Sequence, residues 1–379
     1  MSSAQIIVGI DHFLQQTKYK DKRLALVTNN AALTSHGIKT RIALLQNGFT
    51  VPKLFSPEHG LTATDADGTF IQNSIDSITG LPIISLYGDH LAPTKIDLED
   101  IDIVLIDIPD VGCRFYTYLW MMTYVMEACA AYNKPLIILD RPNPIGGNIL
   151  LAEGPMPDEA CSSFIGRWNI PIRHSCTLGE LATYFAATKI KALHLEVIRI
   201  TNWQRNKTTT SFTPTSPAIQ NITTALLYPG MGLLEGINVN EGRGTDKPFT
   251  VCGAPWINSE ALANAFTQKN CAGIICKPYS YTPAEGLYAG KNCNGIEFFI
   301  TDEEKFRPVA TAISLIQTIM AMYLVEVKER LYTTRANPGG QAHLDKLSGV
   351  QNAFIKIKKR EINTAVESWP EIIKPYLLY

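Results

Sequence analysis

The stretch Ile101 to Arg114, IDIVLIDIPDVGCR, decides the fold, because an apolar run too short for a helix ends abruptly in charged side chains. Two further stretches follow the same pattern. The polar groups that end the three runs are Asp107, Asp110 and Arg114 in this stretch, Glu58 and His59 in Lys53 to Gly60 (KLFSPEHG), and Asp140, Arg141 and Asn143 in Leu136 to Asn143 (LIILDRPN). We therefore predict that three strand ends converge on one polar crevice.

Apolar runs alternate with helical patterns through the first half of the chain. Their near-continuous Ile, Leu and Val content is typical of strands buried on both faces, as in a parallel sheet covered by helices. This predicts an α/β, Rossmann-like, doubly wound domain. The predicted strands are Arg23 to Thr28, Val51 to Phe55, Leu81 to Leu86, Ile101 to Ile106, Pro135 to Leu139 and Leu195 to Ile200, and the helices are Ile38 to Gln46, Phe115 to Tyr132 and Leu178 to Ala187, the last with Thr177 as N-cap.

Ligands of such sheets bind outside the carboxyl ends of the strands. The polar residues predicted at those ends are Asn29, Glu58, His59, Tyr87, Asp107, Asp110, Arg114 and Asn143.

The composition changes after Trp203, where Gln204 to Pro217 is polar and rich in threonine. We place the domain boundary there, which divides the chain into residues 1–205 and 206–379. Strand-like runs at Gly273 to Tyr279 and Gly295 to Ile300, followed by a helix around Val309 to Val325, predict that the second domain is smaller and α+β.

Composition excludes several functional classes. The 34 basic and 35 acidic residues give a net charge of -1 without like-charge runs, which argues against nucleic-acid and membrane-surface binding. No segment approaches the roughly 20 apolar residues of a membrane span. The eight cysteines form no C-x-x-C pair, so we expect buried free thiols rather than a zinc site. The partner expected is a small molecule.

No nucleotide signature is convincing. Gly230 to Gly236 (GMGLLEG) resembles a dinucleotide fingerprint, but its third glycine is one position late, and a glycine turn is the preferred interpretation. The chain has no Walker A loop and no G-x-S-x-G elbow. We therefore predict no cofactor.

The candidate chemistry depends on carboxylates. Glu58, in a proline–glycine corner beside His59, is either a partly desolvated proton donor or a cap for the next helix. Asp107 and Asp110 form a weak metal signature with His59, and we predict no metal site; Asp107 is expected to anchor Arg114 or a backbone turn.

A second polar group lies further along the chain, at Asn238 to Thr245. Glu241 and Arg243 either point into the site from this glycine-bounded loop or form a surface ion pair. Aromatic residues near the strand ends are suitable platforms for sugar rings: Tyr87, Phe115, Tyr116, Tyr118 and Trp120. For Trp120 the alternative is a place in the hydrophobic core.

Five ordered motifs carry a resemblance to a known family. They are SPEHG at Ser56 to Gly60, DVGCRFYTY at Asp110 to Tyr118, LDRPNPIGG at Leu139 to Gly147, LLYPG at Leu226 to Gly230 and EGRGT at Glu241 to Thr245. Together they resemble the NamZ-type exo-β-N-acetylmuramidases, and the likeness extends from Gly9 to Tyr379.

The resemblance implies a glycosidase that removes N-acetylmuramic acid from the non-reducing ends of peptidoglycan fragments such as MurNAc-GlcNAc. It implies an active site in a cleft between a Rossmann-like and a smaller C-terminal domain. Within SPEHG, Glu58 matches the glutamate proposed as the catalytic acid. The expected partners are muramyl saccharides.

Most glycosidases need a second carboxyl group, and the candidates here are Glu241, Asp110 and Asp107. Retention, inversion and assistance by the substrate's N-acetyl group all stay open. We expect His59, Asn143 and Asn29 to hold sugar hydroxyls, with Tyr87 and Tyr116 also in the binding site. The lactyl carboxylate of muramic acid calls for a cation, for which Arg114 and Arg243 are the candidates.

Two alternatives come from other functional classes: a non-catalytic module that binds cell-wall sugars or nucleotides, and a metal-dependent hydrolase that uses His59 and Asp107. Met1 to Lys18 lacks the zones of a signal peptide, whereas many relatives begin with one. A cytoplasmic location is expected for the chain as given, or a periplasmic or secreted one if a leader is missing.

Overall fold

The computed structural model describes residues 5–66, 68–69, 72–209, 212–334 and 337–379. Its first half is built around a seven-stranded sheet whose order is β3-β4-β2-β1-β5-β6-β7. All neighbouring strands pair in parallel except β3 and β4. The strands are β1 (Arg23–Thr28), β2 (Thr50–Ser56), β3 (Ser74–Ile75), β4 (Pro82–Ser85), β5 (Ile103–Asp107), β6 (Leu136–Leu139) and β7 (Leu195–Ile198).

The six parallel strands have the doubly wound order predicted from the sequence. Counted along the chain, they lie in space as 3-2-1-4-5-6, which is the Rossmann order. The order reverses between β1 and β5, where Thr28 pairs with Asp107. Every residue of β5 and β6 is buried, as expected for strands covered on both faces. The predicted fold class is confirmed.

Eleven α-helices lie in the described residues. Helix α5 begins at a capping box in which Thr177 accepts from the backbone of Glu180, so the predicted N-cap is confirmed. The helices are α1 (Gly9–Phe13), α2 (Thr40–Gln46), α3 (Lys95–Leu98), α4 (Thr117–Ala131), α5 (Leu178–Thr188), α6 (Ile222–Met231), α7 (Ser259–Thr267), α8 (Pro308–Met322), α9 (His343–Ser348), α10 (Ala353–Lys358) and α11 (Trp369–Ile373).

The second half contains a small antiparallel sheet of order β8-β10-β9, with strands β8 (Val251–Ala254), β9 (Ile274–Tyr281) and β10 (Cys293–Ile300). This agrees with the predicted α+β character. The glycine turn expected at Gly230 to Gly236 is instead the end of α6 followed by a 3₁₀ helix, Gly232–Gly236. The motif does not connect a strand to a helix, so it lacks the context of a dinucleotide fingerprint.

Several contacts join the two halves. Glu153 accepts hydrogen bonds from the backbone of Val309 (3.4 Å) and Ala310 (3.0 Å) at the start of α8. The C-terminal residue returns to the first sheet, where the Tyr379 hydroxyl donates to Asp140 (2.7 Å). The boundary at residues 205 and 206 stays a prediction.

All eight cysteines are free, and six of them are buried. Burial raises the pKa of the Cys113 thiol, which keeps it protonated and a poor nucleophile. Among the helices of the described part, none has the length and apolar character needed to cross a membrane.

Candidate active site

Polar and aromatic residues from both halves of the chain line one cleft, which we call the Glu58 cleft. It encloses about 790 Å³ of non-protein space, including its open mouth. Residues of the first half, among them those that follow β2, β4 and β5, form one part of the lining, and residues of the second half form the other. Its polar and aromatic lining includes Glu58, His59, Tyr87, Tyr116, Thr117, Phe164, Tyr228, Glu235, Arg243, Tyr332, Asn337, His343 and Lys346.

Glu58 and His59 come two and three residues after the end of β2. The His59 backbone has a φ of 67°, a left-handed conformation that is uncommon outside glycine and that turns the chain sharply here. The Nδ1 atom of His59 lies 2.7 Å from the Asp65 carbonyl oxygen. A carbonyl can only accept, so Nδ1 carries a proton and the ring orientation is fixed.

The Glu58 carboxylate is half-buried and held at both oxygens. The Thr117 hydroxyl at the start of α4 donates to Oε2 at 2.6 Å, and the Gly68 backbone N–H donates to Oε1 at 3.1 Å. The sequence left two alternatives for Glu58, a proton donor or a helix cap. A cap would accept from a backbone N–H at the start of a helix, whereas Glu58 accepts from the side-chain hydroxyl of Thr117. The arrangement instead fixes a carboxyl group at the surface of the cleft.

Aromatic rings form part of the wall. Tyr87 lies against Phe164 with ring centroids 5.8 Å apart, and Tyr116 lies 6.2 Å from Tyr228 at nearly a right angle. All four rings line the cleft. Such rings offer apolar faces on which the C–H groups of a sugar can pack.

An ion cluster closes the other side of the cleft. Arg243 donates from Nε to Glu235 Oε1 at 2.9 Å and lies 3.6 Å from Glu241. Glu241 also accepts from Arg330 at 3.2 Å. His343 Nε2 lies 3.7 Å from Glu235 Oε2. Arg243 and Glu235 line the cleft, whereas Glu241 is buried behind them and lines neither of the two cavities described here.

The two glutamates of this cluster differ in their ionisation. Burial alone would raise the pKa of the Glu235 carboxyl, but the charge of Arg243 and the contact with His343 lower it below its ordinary value. Burial raises the pKa of Glu241, and neighbouring Glu235 adds to this, while Arg330 opposes it. Glu235 is therefore the member of the pair that is more firmly ionised.

A second cavity lies at the point where the strand order reverses, and we call it the switch-point crevice. Its lining includes Asp110 after β5, Arg141 after β6 and Thr215. The sequence predicted that three strand ends share one crevice, and this is wrong. The groups after β2 and β4 line the Glu58 cleft together with Tyr116 and Thr117, which follow β5, whereas Asp110 after β5 and Arg141 after β6 line the switch-point crevice.

The acidic groups at the end of β5 and just after it have partners within the chain. Asp107 accepts from Arg141 Nε at 2.5 Å and Nη2 at 2.9 Å, and also from the Thr40 hydroxyl. The prediction that Asp107 holds Arg114 is thus wrong, because the arginine paired with Asp107 is Arg141. Asp110 accepts from the Gly112 backbone at 2.8 Å and lies 3.4 Å from His174 Nε2.

Three further predicted site residues have side chains committed to the fold. Asn29 accepts from the Ala31 backbone at 3.0 Å and donates to the Tyr118 hydroxyl at 3.3 Å. Asn143 accepts from the Ile145 backbone and donates to the Cys176 carbonyl. The buried Arg114 guanidinium donates to backbone carbonyls of Pro155, Ile170 and Leu347. None of the three lines the Glu58 cleft.

Sequence reasoning missed several lining residues: Thr117, Tyr228, Glu235, Tyr332, His343 and Lys346. Tyr228 and Glu235 lie in or beside the LLYPG and GLLEG stretches, so these motifs were visible signals. No comparable signal marked His343 or Lys346, which reach the cleft from α9. Within the described ranges, no group of three His, Cys, Asp or Glu side chains is arranged to hold a metal ion.

Two family models match the chain. The model of the N-terminal part of the exo-β-N-acetylmuramidase NamZ matches residues 24–223, and the model of its C-terminal part matches residues 226–379. Together they cover the sheet, the Glu58 cleft and the ion cluster.

Known proteins agree with the family models. The chain is similar to the peptidoglycan β-N-acetylmuramidase NamZ of Bacillus subtilis (strain 168), with 37% identity over 372 residues, or 96% of this chain and 86% of that protein. Crystal structures of two DUF1343 family proteins from Bacteroides fragilis NCTC 9343 are also similar. Each is 29% identical with 99% of both chains covered, and the TM-scores are 0.88 and 0.74.

Proposed function

Because this chain belongs to the NamZ exo-β-N-acetylmuramidase family, we propose that it releases N-acetylmuramic acid from the non-reducing ends of peptidoglycan fragments such as MurNAc-GlcNAc. The chain is a glycoside hydrolase. The observation that carries the proposal is the position of Glu58, a carboxyl group held at the surface of a cleft lined by aromatic rings.

Glu58 is the general acid of this proposal. It gives its proton to the glycosidic oxygen as the bond from that oxygen to the anomeric carbon breaks. Water then adds its hydroxyl group to the anomeric carbon, and its remaining proton restores the acid. The Thr117 hydroxyl can rotate, so it can donate to the ionised carboxylate or accept from the protonated one. This contact supports both protonation states of the cycle.

The saccharide is proposed to pack on the aromatic wall. Tyr87 and Tyr116 supply ring faces, and His59 holds a hydroxyl of the sugar from its fixed orientation. Asn29 and Asn143 remain weaker candidates for this role, since their amides already bond within the chain.

The lactyl carboxylate distinguishes muramic acid from N-acetylglucosamine, and a cation should recognise it. Arg243 lines the cleft, but two carboxylates already balance its charge. Lys346 also lines the cleft, donating to Asn337 Oδ1 at 2.7 Å and to the Gln341 carbonyl at 3.3 Å, and within the described part of the chain it has no carboxylate partner.

Burial lowers the pKa of the Lys346 ammonium, which is the expected effect of desolvation without a balancing charge. A bound carboxylate would supply that charge. Lys346 is therefore the preferred partner of the lactyl group, ahead of Arg243. Arg114 has the least support, because its guanidinium is committed to three backbone carbonyls.

A comparison of two chromogenic substrates tests the proposed function. Purified protein is incubated with para-nitrophenyl β-N-acetylmuraminide or with the β-N-acetylglucosaminide, and release of nitrophenol is followed. We expect hydrolysis of the muraminide and little of the glucosaminide. Well-folded protein that cleaves neither substrate, nor the MurNAc-GlcNAc disaccharide, would overturn the proposal.

A further inference from the structure

Among the described residues that line the Glu58 cleft, Glu58 and Glu235 are the two carboxylates. The sequence candidates for a second catalytic carboxyl group lie elsewhere. Asp110 lines the switch-point crevice, and Asp107 and Glu241 line neither cavity. A partner for Glu58 in the same cleft is therefore limited, within the described part of the chain, to Glu235.

The position of Glu235 depends on a close approach of two segments. The 3₁₀ helix Gly232–Gly236 packs against α9, and a Cβ atom on Gly236 would lie 2.5 Å from the Leu344 side chain. Only glycine allows this distance. The approach brings Glu235 beside His343 at the start of α9 and fixes its carboxylate at the edge of the cleft.

The charge on Glu235 is fixed as well. Arg243 donates to Glu235 Oε1 at 2.9 Å and also lies 3.6 Å from Glu241. His343 Nε2 lies 3.7 Å from Glu235 Oε2. A buried carboxylate with a hydrogen-bonded guanidinium partner is strongly favoured in its ionised form. Glu235 is therefore held as an ionised carboxylate at the edge of the cleft.

Resting on the muramidase function proposed above, we propose that Glu235 is the second catalytic carboxylate. It stays ionised while Glu58 protonates the leaving oxygen, and it stabilises the positive charge that develops at the anomeric carbon and ring oxygen as that bond breaks. Most glycosidases place one protonated and one ionised carboxyl group around the reacting bond, and the two glutamates of this cleft supply that pair.

The rival role for Glu235 is structural, as a counter-ion that only holds Arg243. Arg243 also lies 3.6 Å from Glu241, so it keeps a carboxylate neighbour when Glu235 is neutralised. A structural role predicts lower stability and unaltered pH dependence of turnover. A catalytic role predicts a change in the pH profile in protein that remains folded.

The test compares Glu235→Gln with Glu58→Gln on two leaving groups. Charge stabilisation is needed whatever group departs, so Glu235→Gln should lower kcat/KM by about 10²–10³ on both MurNAc-GlcNAc and the nitrophenyl muraminide. Glu58→Gln should instead lower kcat/KM far more on MurNAc-GlcNAc than on the nitrophenyl muraminide, because nitrophenol departs with little help from an acid.

The pH profile supplies a readout that a structural role would not move. An essential ionised carboxylate produces the acidic limb of the kcat/KM profile. We expect that limb to disappear in Glu235→Gln and to remain in Glu235→Asp, which keeps the charge on a shorter side chain. Added formate should partly restore activity to Glu235→Ala by replacing the missing carboxylate.

Glu297→Gln is the matched control. Glu297 pairs with Lys247 at 2.5 Å in the same half of the chain but outside the cleft, and the variant should keep wild-type kcat/KM. Thermal unfolding and circular dichroism establish that each variant is folded. If Glu235→Gln does not fold, the Glu235→Asp profile and its activity decide the matter.

A folded Glu235→Gln protein that keeps more than a tenth of wild-type kcat/KM with its acidic limb intact would overturn the role of Glu235. In the event that Glu235→Gln does not fold, a Glu235→Asp protein without an acidic limb overturns it equally. These outcomes require an active wild-type protein, so they leave the proposed function standing. An inactive wild-type protein would defeat the proposed function first, which separates the two failures.

Discussion

The Glu58 cleft and the switch-point crevice lie at the same edge of the large sheet, yet their carboxylates differ in burial and in hydrogen-bond partners. In the crevice region, Asp107 is paired with Arg141 by two hydrogen bonds and is fully buried. In the cleft, Glu58 is half-buried and held by one hydroxyl and one backbone N–H. Internal pairing stabilises the fold, whereas a carboxyl group at a cavity surface remains accessible to a ligand.

The largest expected effect is a loss of catalysis when Glu58 in the cleft is replaced. Glu58→Gln should lower kcat/KM on MurNAc-GlcNAc by about 10²–10⁴, because the glycosidic oxygen loses its proton donor. The loss on the nitrophenyl muraminide should be much smaller. Steady-state kinetics on both substrates, with thermal unfolding to show that the variant is folded, make the comparison. Equal losses on the two leaving groups would contradict the acid role.

Substitution near the switch-point crevice should lower the stability of the fold. Asp107→Asn should lower the free energy of unfolding by about 3–5 kcal/mol, because it leaves the Arg141 guanidinium without its carboxylate partner in a buried site. Guanidinium chloride unfolding measures the change. Asp100→Asn is the control, since its pairs with Arg23 and Lys53 are partly exposed and should contribute less than about 1 kcal/mol. Similar values for both variants would refute this contrast.

A pH effect on stability is expected at the junction of the two halves. Burial raises the pKa of Glu153 from 4.5 to about 7, although the backbone of Ala310 opposes this. The folded state holds this proton more tightly than the unfolded state. The associated stability is therefore complete below about pH 4.5 and is lost as pH rises through about 7, by roughly 3 kcal/mol in all.

Glu153→Gln removes that titration. Unfolding measured from pH 4 to pH 8 should show a flatter profile than the wild-type protein. Some slope should remain at lower pH, because burial also raises the pKa of Asp140 to about 6. A variant profile parallel to that of the wild-type protein would show that Glu153 is not the group responsible.

Substrate selectivity should show the smallest effect. Lys346→Met should raise KM for the muraminide about tenfold, since it removes a charge-assisted hydrogen bond worth roughly 1.5 kcal/mol, and should leave the glucosaminide unaffected. Lys305→Met, which removes an exposed lysine paired with Asp302, is the control. If Arg243→Met erases the selectivity and Lys346→Met does not, the lactyl group binds at Arg243.

Local sequence pattern predicted the large sheet well, because parallel strands buried on both faces have near-continuous apolar runs that are visible in the sequence. Strand β1 was placed with its observed bounds, Arg23–Thr28, and α4 was placed within two residues at its N-terminus. Helix α6 was missed, because Pro229 and Gly230 lie within it and both residues disfavour helix interiors. Gly230 packs against the Pro308 carbonyl, so a tertiary contact outweighs the local preference.

The candidate site was only partly predictable for a related reason. Glu58 and His59 follow a strand directly, and their motif marks them in the sequence. Glu235 becomes a candidate through Arg243 and His343, and the latter is more than a hundred residues away along the chain. Strand-end position predicted that Asp110 lies at the binding edge of the sheet, but it carries no information about which of two cavities the residue lines.

The structure of the Glu58→Gln variant with bound MurNAc-GlcNAc is the most direct test of the central claim, that the Glu58 cleft holds the reaction. We predict that the glycosidic oxygen lies within hydrogen-bonding distance of the side chain at position 58, that Glu235 faces the muramic acid ring, and that the lactyl group lies at Lys346. A disaccharide bound in the switch-point crevice beside Asp110 would contradict this account.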